Sequence, residues 1–186
     1  MHDKVCVITG GSRGLGKAMA RAFLQAGARK VYITARKAAE CDETAKELSG
    51  LSENGECIAL PGDMSSGEEI AAFAKALAER EDHIDVLVNN AGTGWTAPIE
   101  EFPEVGWDKV MDLNVKTPFF LTQQLLPLLK ANATAEKSAS VINIGSIAGI
   151  MGSAGSGISY GTSKAAIHQL TRNLASLVAD DHIRVN

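Results

Sequence analysis

A tyrosine and a lysine four residues apart are the most chemically suggestive pair in this sequence. Tyr160 and Lys164 stand in the segment Ser-Tyr-Gly-Thr-Ser-Lys, and on a helix this spacing puts both side chains on one face. A phenol releases its proton more easily when a cation stabilises the phenolate, so the pair suits proton transfer to or from a substrate oxygen. The alternative is that the two side chains simply cover an amphipathic helix, as such pairs usually do.

Small and polar residues after two predicted strands favour the chemical interpretation. Ser146 directly follows a strand-like segment, and its hydroxyl could hold a substrate oxygen or merely cap a turn. Ligands of open α/β sheets bind outside the carboxyl ends of the strands, so we expect Ser146 near Tyr160. A second set follows the fourth predicted strand and is expected at the same carboxyl ends of the sheet: Asn90, Ala91 and Gly92. The alternative for these residues is a plain turn.

A glycine-rich segment lies between the first predicted strand and the first predicted helix. Residues 9–16 read Thr-Gly-Gly-Ser-Arg-Gly-Leu-Gly; glycines let the backbone approach a pyrophosphate, and the helix N terminus offers free N–H groups. The spacing differs from the common fingerprint Gly-x-Gly-x-x-Gly, so a plain connecting turn is the alternative. The predicted nucleotide contacts in this segment are Gly10, Ser12, Arg13, Gly14, Leu15 and Gly16.

The end of the second predicted strand indicates which nucleotide is bound. The segment Thr-Ala-Arg that ends at Arg36 has no carboxylate for the ribose hydroxyls, whereas Arg36 and Arg13 could hold a 2′-phosphate. Each could also be an ordinary surface arginine, but two of them in an acidic protein favour NADP(H). After the third strand, Asp63 is a candidate for the adenine amino group or an ordinary turn aspartate, and Met64 beside it completes the predicted contacts.

Apolar strand-like segments alternate with helical patterns, which predicts a parallel sheet with helices on both faces. The predicted strands are residues 4–9, 30–34, 56–60, 84–89, 140–145 and 182–186. The first predicted helix ends at a Gly27 cap, the second covers residues 38–48, the third runs from the start signal 65–69 to 79, and the last covers 159–179. Between the third and the last, a long helix is predicted from Pro103 in its first turn to residue 130, although Pro118 and Pro127 must disturb it. The expected fold class is α/β: a Rossmann-like, doubly wound parallel sheet in three layers, forming a single domain over residues 1–186.

The composition limits the classes of partner. With 186 residues, 45% of them hydrophobic and a net charge of −4, the chain has no broad basic field, so we expect neither nucleic acid nor membrane as a partner. Three cysteines and four histidines show no metal-ligand spacing, and a reducing compartment is the default. The chain also begins without the pattern of a signal peptide, so we expect a cytoplasmic protein without a metal.

Taken in order, these motifs are similar to those of the short-chain dehydrogenase/reductase family. Thr-Gly-x-x-x-Gly-x-Gly, Asn-Asn-Ala-Gly, a strand-end serine and Tyr-x-x-x-Lys succeed one another, and the resemblance covers essentially the whole chain. It implies hydride transfer between NADP(H) and a small ketone or secondary alcohol. Tyr160 would then be the general acid/base, Ser146 would position the substrate oxygen, and Lys164 would hold the ribose hydroxyls. Both Tyr160 and Lys164 would also contact the cofactor.

The resemblance adds Asn114, whose backbone carbonyl would hold a water in a proton relay to the lysine. The sequence offers an independent reason for this role. Pro118 has no N–H, so within a helix the carbonyl four residues earlier loses its partner and is free for water. A plain proline kink is the alternative.

Longer stretches resemble a subgroup of the family, the NADPH-dependent 3-oxoacyl reductases associated with rhamnolipid synthesis. They are residues 89–95, 106–111, 123–129 and 141–146. Reduction of a 3-oxoacyl chain is the leading expectation, with sugars, polyols, steroids or other small ketones as alternatives. Ser146 and Tyr160 are fourteen residues apart, one more than is usual in the family, and the loop 149–157 absorbs the extra residue. Three residues could line a substrate pocket or pack within their own loop: Trp95, Met151 and Ile158.

The family pattern continues beyond Asn186, so the resemblance implies a C-terminally truncated chain that lacks the substrate-covering lid and the last strand. Family members are mostly dimers or tetramers built partly on the two long helices, which correspond to residues 104–130 and 159–179. A homodimer or homotetramer is therefore the expectation for a complete chain. The rival from another functional class is a protein that binds the cofactor without turnover.

Overall fold

Six strands and six helices alternate in a computed structural model that describes residues 1–52, 55–152, 155 and 157–186. The strands are β1 (Val5–Thr9), β2 (Lys30–Thr34), β3 (Glu56–Ala59), β4 (Val86–Asn89), β5 (Ala139–Asn143) and β6 (Ile183–Val185). The helices are α1 (Gly14–Gln25), α2 (Ala38–Ser49), α3 (Gly67–Ala78), α4 (Glu104–Met111), α5 (Thr117–Lys130) and α6 (Ile158–Leu177).

All the strands are parallel and lie in the order β3-β2-β1-β4-β5-β6. The order reverses between β1 and β4, and such a reversal opens a crevice at the carboxyl ends of the strands. The predicted Rossmann-like α/β fold is confirmed. All five residues of β1 are buried, as a strand covered on both faces must be.

Two apolar layers enclose the sheet. On one face Cys6, Ile8 and their neighbours pack against residues of α1 and α2, such as Leu24 and Leu48. On the other face, side chains of α3, α5 and α6 pack against Val7 and its neighbours. The three-layer arrangement follows because each helix buries one apolar stripe against the sheet.

The predicted long helix between Pro103 and residue 130 is interrupted. Pro103 is the residue before α4, not part of its first turn, and a π-helical turn, Asp112–Lys116, separates α4 from α5. Pro118 lies in the first turn of α5, directly after the π-helical turn, and has no N–H to donate to the carbonyls of that turn. The helix is thus disturbed near Pro118, as expected, and the disturbance takes the form of a wider π-helical turn.

The structure contains the predicted glycine end of α1 and the predicted serine cap of α3, but the glutamate of the second signal bonds elsewhere. Gly27 has a φ of 89° and ends α1, as expected. Ser66 caps α3 by accepting a hydrogen bond from the Glu69 N–H at 3.4 Å. The Glu69 carboxylate, however, accepts from the Asp63 N–H instead of reaching back to the cap. Glu69 thereby fixes the loop after β3, which borders the cavity described below.

The described residues contain neither a membrane-spanning helix nor a cluster of metal ligands. None of the helices there has the length and hydropathy that a bilayer crossing requires. Nor do those residues bring three metal-ligating side chains together.

Candidate active site

A cavity of about 350 Å³ opens at the carboxyl ends of β1, β2 and β4. It is lined by all the nucleotide contacts predicted from the glycine segment and the strand ends: Gly10, Ser12, Arg13, Gly14, Leu15, Gly16, Arg36, Asp63, Met64, Asn90, Ala91 and Gly92. Sequence reasoning missed six further lining residues: Thr34, Ala35, Lys37, Glu40, Gly62 and Leu113. Most of these adjoin predicted residues, so extending each motif by one or two positions would have found them.

The backbone of the glycine loop fits a nucleotide pyrophosphate. A Cβ on Gly16 would lie 2.2 Å from the Gly10 oxygen, so the loop can close this tightly only with glycine there. Gly14 has a φ of 54° and open space around its missing side chain. Arg13, the residue before α1, makes no side-chain cap, so the first N–H groups of the helix are available to an anion.

Hydrogen bonds tie the end of β4 to the end of β1. The Thr9 hydroxyl accepts from the Asn90 and Ala91 N–H groups at 3.0 and 2.9 Å. The Asn90 side-chain amide donates to the carbonyls of Thr9 and Gly10 at 2.8 and 3.2 Å. The Asn90 side chain thus holds the cavity wall together.

Three cations and the turn at Asp63 line the cavity. Arg13, Arg36 and Lys37 line it and are exposed. Asp63 Oδ1 accepts from the Ser65 N–H at 3.0 Å and from its hydroxyl at 2.8 Å. Burial alone would raise the pKa of Asp63, but these hydrogen bonds and the nearby Arg36 hold that pKa below its usual value. The carboxylate therefore stays ionised and serves the turn that was named as its alternative role.

Ser146 follows β5 in an extended conformation, with φ −161° and ψ 150°. Its hydroxyl oxygen accepts from the Ala148 N–H at 3.2 Å, which leaves the hydroxyl proton for another acceptor. The short 3₁₀ turn Ile147–Gly149 then lies against α6. A Cβ on Gly149 would be 2.5 Å from the carbonyl carbon of Lys164, so this glycine brings the Ser146 loop onto the helix.

Tyr160 and Lys164 share one face of α6, as predicted. The Lys164 Nζ lies 5.7 Å from the centre of the Tyr160 ring and donates a hydrogen bond to the Ile144 carbonyl at 2.5 Å. Lys164 is only 6% exposed, and its burial lowers its pKa. Tyr160 is half-buried in the first turn of the helix.

Asn114 lies in the π-helical turn, is buried, and joins two elements of the site. Its Oδ1 accepts from the Thr93 N–H and its Nδ2 donates to the Thr93 carbonyl, both at 2.9 Å. The same Nδ2 donates to the Ser163 hydroxyl at 2.9 Å, and that hydroxyl donates to the Tyr160 carbonyl at 2.7 Å. Sequence reasoning named Asn114 for its backbone and missed both its side chain and Ser163.

The catalytic candidates adjoin one end of the cavity without lining it. A Cβ on Gly92 would be 3.3 Å from Asn114 Oδ1, and one on Gly94 would be 3.8 Å from the Tyr160 ring. Tyr160 and Lys164 were also predicted as cofactor contacts, and neither is among the cavity residues. The loop after β4 therefore connects the nucleotide-shaped cavity to the Tyr160 side of the site.

The residues suggested for a substrate pocket differ in their surroundings. The Trp95 ring packs on Gly106 of α4, where a Cβ would be 2.7 Å from it, and lies 5.4 Å from the Lys109 Nζ. Met151 and Ile158 are 62% and 48% exposed beside the start of α6. Of the loop 149–157 that was predicted to take up the extra residue, positions 153, 154 and 156 lie outside the described residues.

Comparison with known proteins agrees with this geometry. A model of the short chain dehydrogenase family matches residues 4–186. The rhamnolipids biosynthesis 3-oxoacyl-[acyl-carrier-protein] reductase of Pseudomonas aeruginosa is 50% identical over 186 residues, which cover 100% of this chain and 71% of that protein. The 3-oxoacyl-[acyl-carrier-protein] reductase FabG of Thermotoga maritima is 32% identical over 186 residues, covering 100% of this chain and 72% of that protein.

Solved structures give a consistent result. The Pseudomonas aeruginosa RhlG/NADP active-site complex superposes with a TM-score of 0.95 at 49% identity and covers 100% of this chain and 71% of that one. The L-sorbose reductase of Gluconobacter frateurii, complexed with NADPH and L-sorbose, has a TM-score of 0.90 at 29% identity, with coverage of 100% and 68%.

Proposed function

The chain belongs to the short-chain dehydrogenase family, and we propose that it catalyses NADPH-dependent interconversion of a ketone and a secondary alcohol. One observation carries this proposal. Tyr160 stands over a buried Lys164 and is bonded through Ser163 to Asn114, beside a cavity shaped for a nucleotide. Such a pair moves protons at a substrate oxygen, which is the part of the reaction that the protein itself must supply.

NADPH is the proposed nucleotide because of the charges around the cavity. Arg13, Arg36 and Lys37 line it, and arginine binds phosphate oxygens in pairs. Two of the solved relatives are complexes with NADP or NADPH, which supports the same choice. When bound, the cofactor supplies the hydride that adds to the carbonyl carbon.

In the direction of reduction, Tyr160 donates its phenolic proton to the carbonyl oxygen as that oxygen becomes an alkoxide. The Ser146 hydroxyl, whose proton is not taken by Ala148, donates a hydrogen bond to the same oxygen and stabilises its charge. Lys164 stabilises the phenolate that results and holds the ribose hydroxyls. Asn114 offers its backbone carbonyl to a water that returns a proton, since Pro118 has no N–H to bond that carbonyl.

For the substrate, we propose a 3-oxoacyl thioester. Exposed apolar side chains lie in the loop after Ser146 and at the start of α6, the helix that carries Tyr160, and such a surface suits an acyl chain better than a polyhydroxylated one: Ile147, Ile150, Met151 and Ile158, exposed by 67%, 74%, 62% and 48%. Both curated relatives described above are named as reductases of 3-oxoacyl groups. A sugar ketone is the second candidate, because the L-sorbose reductase shares the fold.

A substrate comparison tests this assignment. Purified protein is mixed with NADPH and either 3-oxoacyl thioesters of increasing chain length or L-sorbose, and loss of NADPH absorbance is followed. We expect turnover with the thioesters, and kcat/KM that rises with chain length. Turnover of L-sorbose alone would overturn the acyl assignment. Binding of NADPH without turnover of any ketone would overturn the enzymatic proposal.

We also propose a cytoplasmic homo-oligomer. Exposed apolar side chains on α4 and α5, among them Val105, Trp107 and Phe120, support self-association through these helices. Cys6, Cys41 and Cys57 are all free and buried, which suits a reducing compartment. Light scattering of the purified protein measures its mass in solution, and a monomer at micromolar concentration would contradict the proposed assembly.

A further inference from the structure

Two carboxylates line the nucleotide cavity: Asp63, which is engaged in its own turn, and Glu40, which stands beside Lys37. Glu40, in the first turn of α2, lines the cavity together with Arg13, Arg36 and Lys37. Its Oε1 accepts a hydrogen bond from the Ser12 hydroxyl at 3.2 Å, and its Oε2 lies 3.8 Å from the Lys37 Nζ. The side chain is 36% exposed on this wall. A negative charge is unexpected on a surface that otherwise favours phosphate.

We propose that Glu40 is a specificity-determining residue. It weakens binding of the 2′-phosphate of NADPH and so reduces the preference of the site for NADPH over NADH. This inference rests on the proposed NADPH-dependent function. Glu40 acts on the extra phosphate in two ways, through its charge and through the Ser12 hydroxyl. Both depend on contacts seen in the structure.

The charge acts directly. A 2′-phosphate carries nearly two negative charges, and a carboxylate on the same wall repels it while neutralising part of the field of Lys37. NADH has a neutral hydroxyl in place of that phosphate, so it does not meet this repulsion. The carboxylate therefore weakens the binding of NADPH more than that of NADH, because the two cofactors share the pyrophosphate and differ in the 2′-phosphate.

The Ser12 hydroxyl acts through competition. A serine hydroxyl has one proton to donate, and here it is given to Glu40. Ser12 is 8% exposed, and its backbone is held in place because the Thr44 hydroxyl donates to the Ser12 carbonyl at 2.9 Å. To bond a phosphate oxygen at this wall, the Ser12 hydroxyl must therefore turn away from Glu40, while the backbone of the loop stays in place.

The same helix supplies a matched control. Glu47 lies farther along α2, where it binds Lys17 and Arg21 of α1 at 2.6 and 3.4 Å, and it is not among the residues that line the cavity. Removing its charge changes the net charge of the protein by the same amount. Any effect of Glu40 that Glu47 does not share comes from its position in the cavity.

The test is a fluorescence titration of NADPH and NADH at low salt with wild type, Glu40→Gln, Glu40→Ala and Glu47→Gln. Glu40→Gln keeps an acceptor for Ser12 and removes only the charge. We expect it to lower the Kd for NADPH about fivefold while the Kd for NADH stays within about twofold. Glu40→Ala, which also frees Ser12, should tighten NADPH at least as much. Glu47→Gln should match wild type for both cofactors.

The outcomes separate the two proposals. An unchanged ratio of the two Kd values in both Glu40 variants, or weaker NADPH binding in them, overturns the role of Glu40 and leaves the proposed function standing. A wild-type protein that binds neither cofactor overturns the proposed function and this inference with it. Thermal unfolding of each variant shows whether its fold is intact.

Discussion

Three residues around the proposed proton donor form a chain of hydrogen bonds with one consistent assignment of protons. Asn114 Oδ1 must accept from the Thr93 N–H, so its Nδ2 faces Ser163, and the single proton of Ser163 goes to the Tyr160 carbonyl. Ser163 and Asn114 are 0% and 2% exposed, so no water replaces these bonds cheaply. The chain holds the first turn of α6, and with it the Tyr160 ring, at a fixed place.

Replacing Ser163 by alanine tests this positioning role. The variant leaves Asn114 Nδ2 without the hydroxyl and frees the Tyr160 carbonyl, so the phenol loses its alignment with the substrate oxygen. We expect kcat to fall about tenfold, with KM and the Kd for NADPH changed less than about twofold. The pH profile of kcat/KM should also shift, because proton transfer is affected.

The adjacent Thr162→Ala is the control for Ser163. The Thr162 hydroxyl donates to the Ile158 carbonyl at 2.8 Å on the exposed side of α6, so it makes a similar bond away from the site. Its kinetics should match those of wild type. Equal losses in both variants, or an unchanged kcat in Ser163→Ala, would contradict the role of Ser163.

At the scale of elements, the site depends on a π-helical turn that periodicity does not reveal. The strands, their order along the chain and the Tyr160 helix follow from apolar patterns and glycine signals, and the structure confirms them. The turn Asp112–Lys116 does not, because a π turn has no distinct composition. A tertiary bond ties its end to another element: the single proton of the Thr117 hydroxyl goes to the Met64 carbonyl in the loop after β3, and the hydroxyl oxygen also lies 3.0 Å from the Asp112 carbonyl oxygen.

The side-chain partners of the site were unpredictable for the same physical reason. Spacing along one helix identifies Tyr160 and Lys164, since neighbours on a helix are fixed by its geometry. The bond from Asn114 to Ser163 joins residues 49 positions apart, and the bond from Ser12 to Glu40 joins residues 28 apart. Such pairs follow only from the packing of separate elements. Sequence reasoning therefore found the residues that share a motif and missed those that support them.

Packing of the Ser146 loop on α6 gives a prediction at this scale. A Cβ on Gly149 would be 2.5 Å from the Lys164 backbone, so Gly149→Ala must push the loop away from the helix. We expect kcat for ketone reduction to fall at least about tenfold, because Ser146 and Tyr160 separate, while NADPH titration stays near wild type.

Gly152 in the same loop is the control for Gly149, since a Cβ there would have none of the described residues within 4 Å. Gly152→Ala should keep wild-type kinetics. Full activity in Gly149→Ala would mean that the loop and α6 need not touch. A similar loss in both variants would point to a general effect of loop stiffness.

Across the whole molecule, the proposed active site and the buried carboxylates that stabilise the fold lie at opposite ends of the strands. The proposed site is at the carboxyl ends of the strands, whereas Glu81 and Asp85 lie near the amino ends, 6% and 5% exposed. Glu81 accepts from Lys30 and from the Tyr32 hydroxyl, each at 2.5 Å, and Asp85 accepts from the Val5 N–H at 2.9 Å. These bonds join the strand ends where no ligand is expected.

The free energy of unfolding should consequently fall in acid. Burial alone would raise the pKa of Glu81, but hydrogen bonds from Lys30 and Tyr32 hold that pKa below its usual value. Ionised Glu81 therefore stabilises the folded state at every pH above the pKa of an ordinary carboxyl group. This stabilisation is lost as the pH falls through the lowered pKa of Glu81 in the folded protein. Glu81→Gln should lose about 1 to 3 kcal/mol at pH 7.

Urea unfolding at several pH values measures this effect. Between pH 6 and pH 3 the variant should lose less stability than wild type, because one linked proton is gone. Ketone reduction at pH 7 should be unchanged in Glu81→Gln, since the proposed site lies at the carboxyl ends of the strands and Glu81 near the amino ends. Parallel stability curves for the two proteins would show that Glu81 makes no such contribution.

The most direct test of the proposed function is Tyr160→Phe, which removes one oxygen and keeps the ring. Turnover of the best 3-oxoacyl thioester should fall about a thousandfold, since the carbonyl oxygen loses its proton donor. NADPH should bind within about twofold of the wild-type Kd, because Tyr160 lies outside the nucleotide cavity. Near-normal turnover in this variant would contradict Tyr160 as the acid and with it the proposed mechanism.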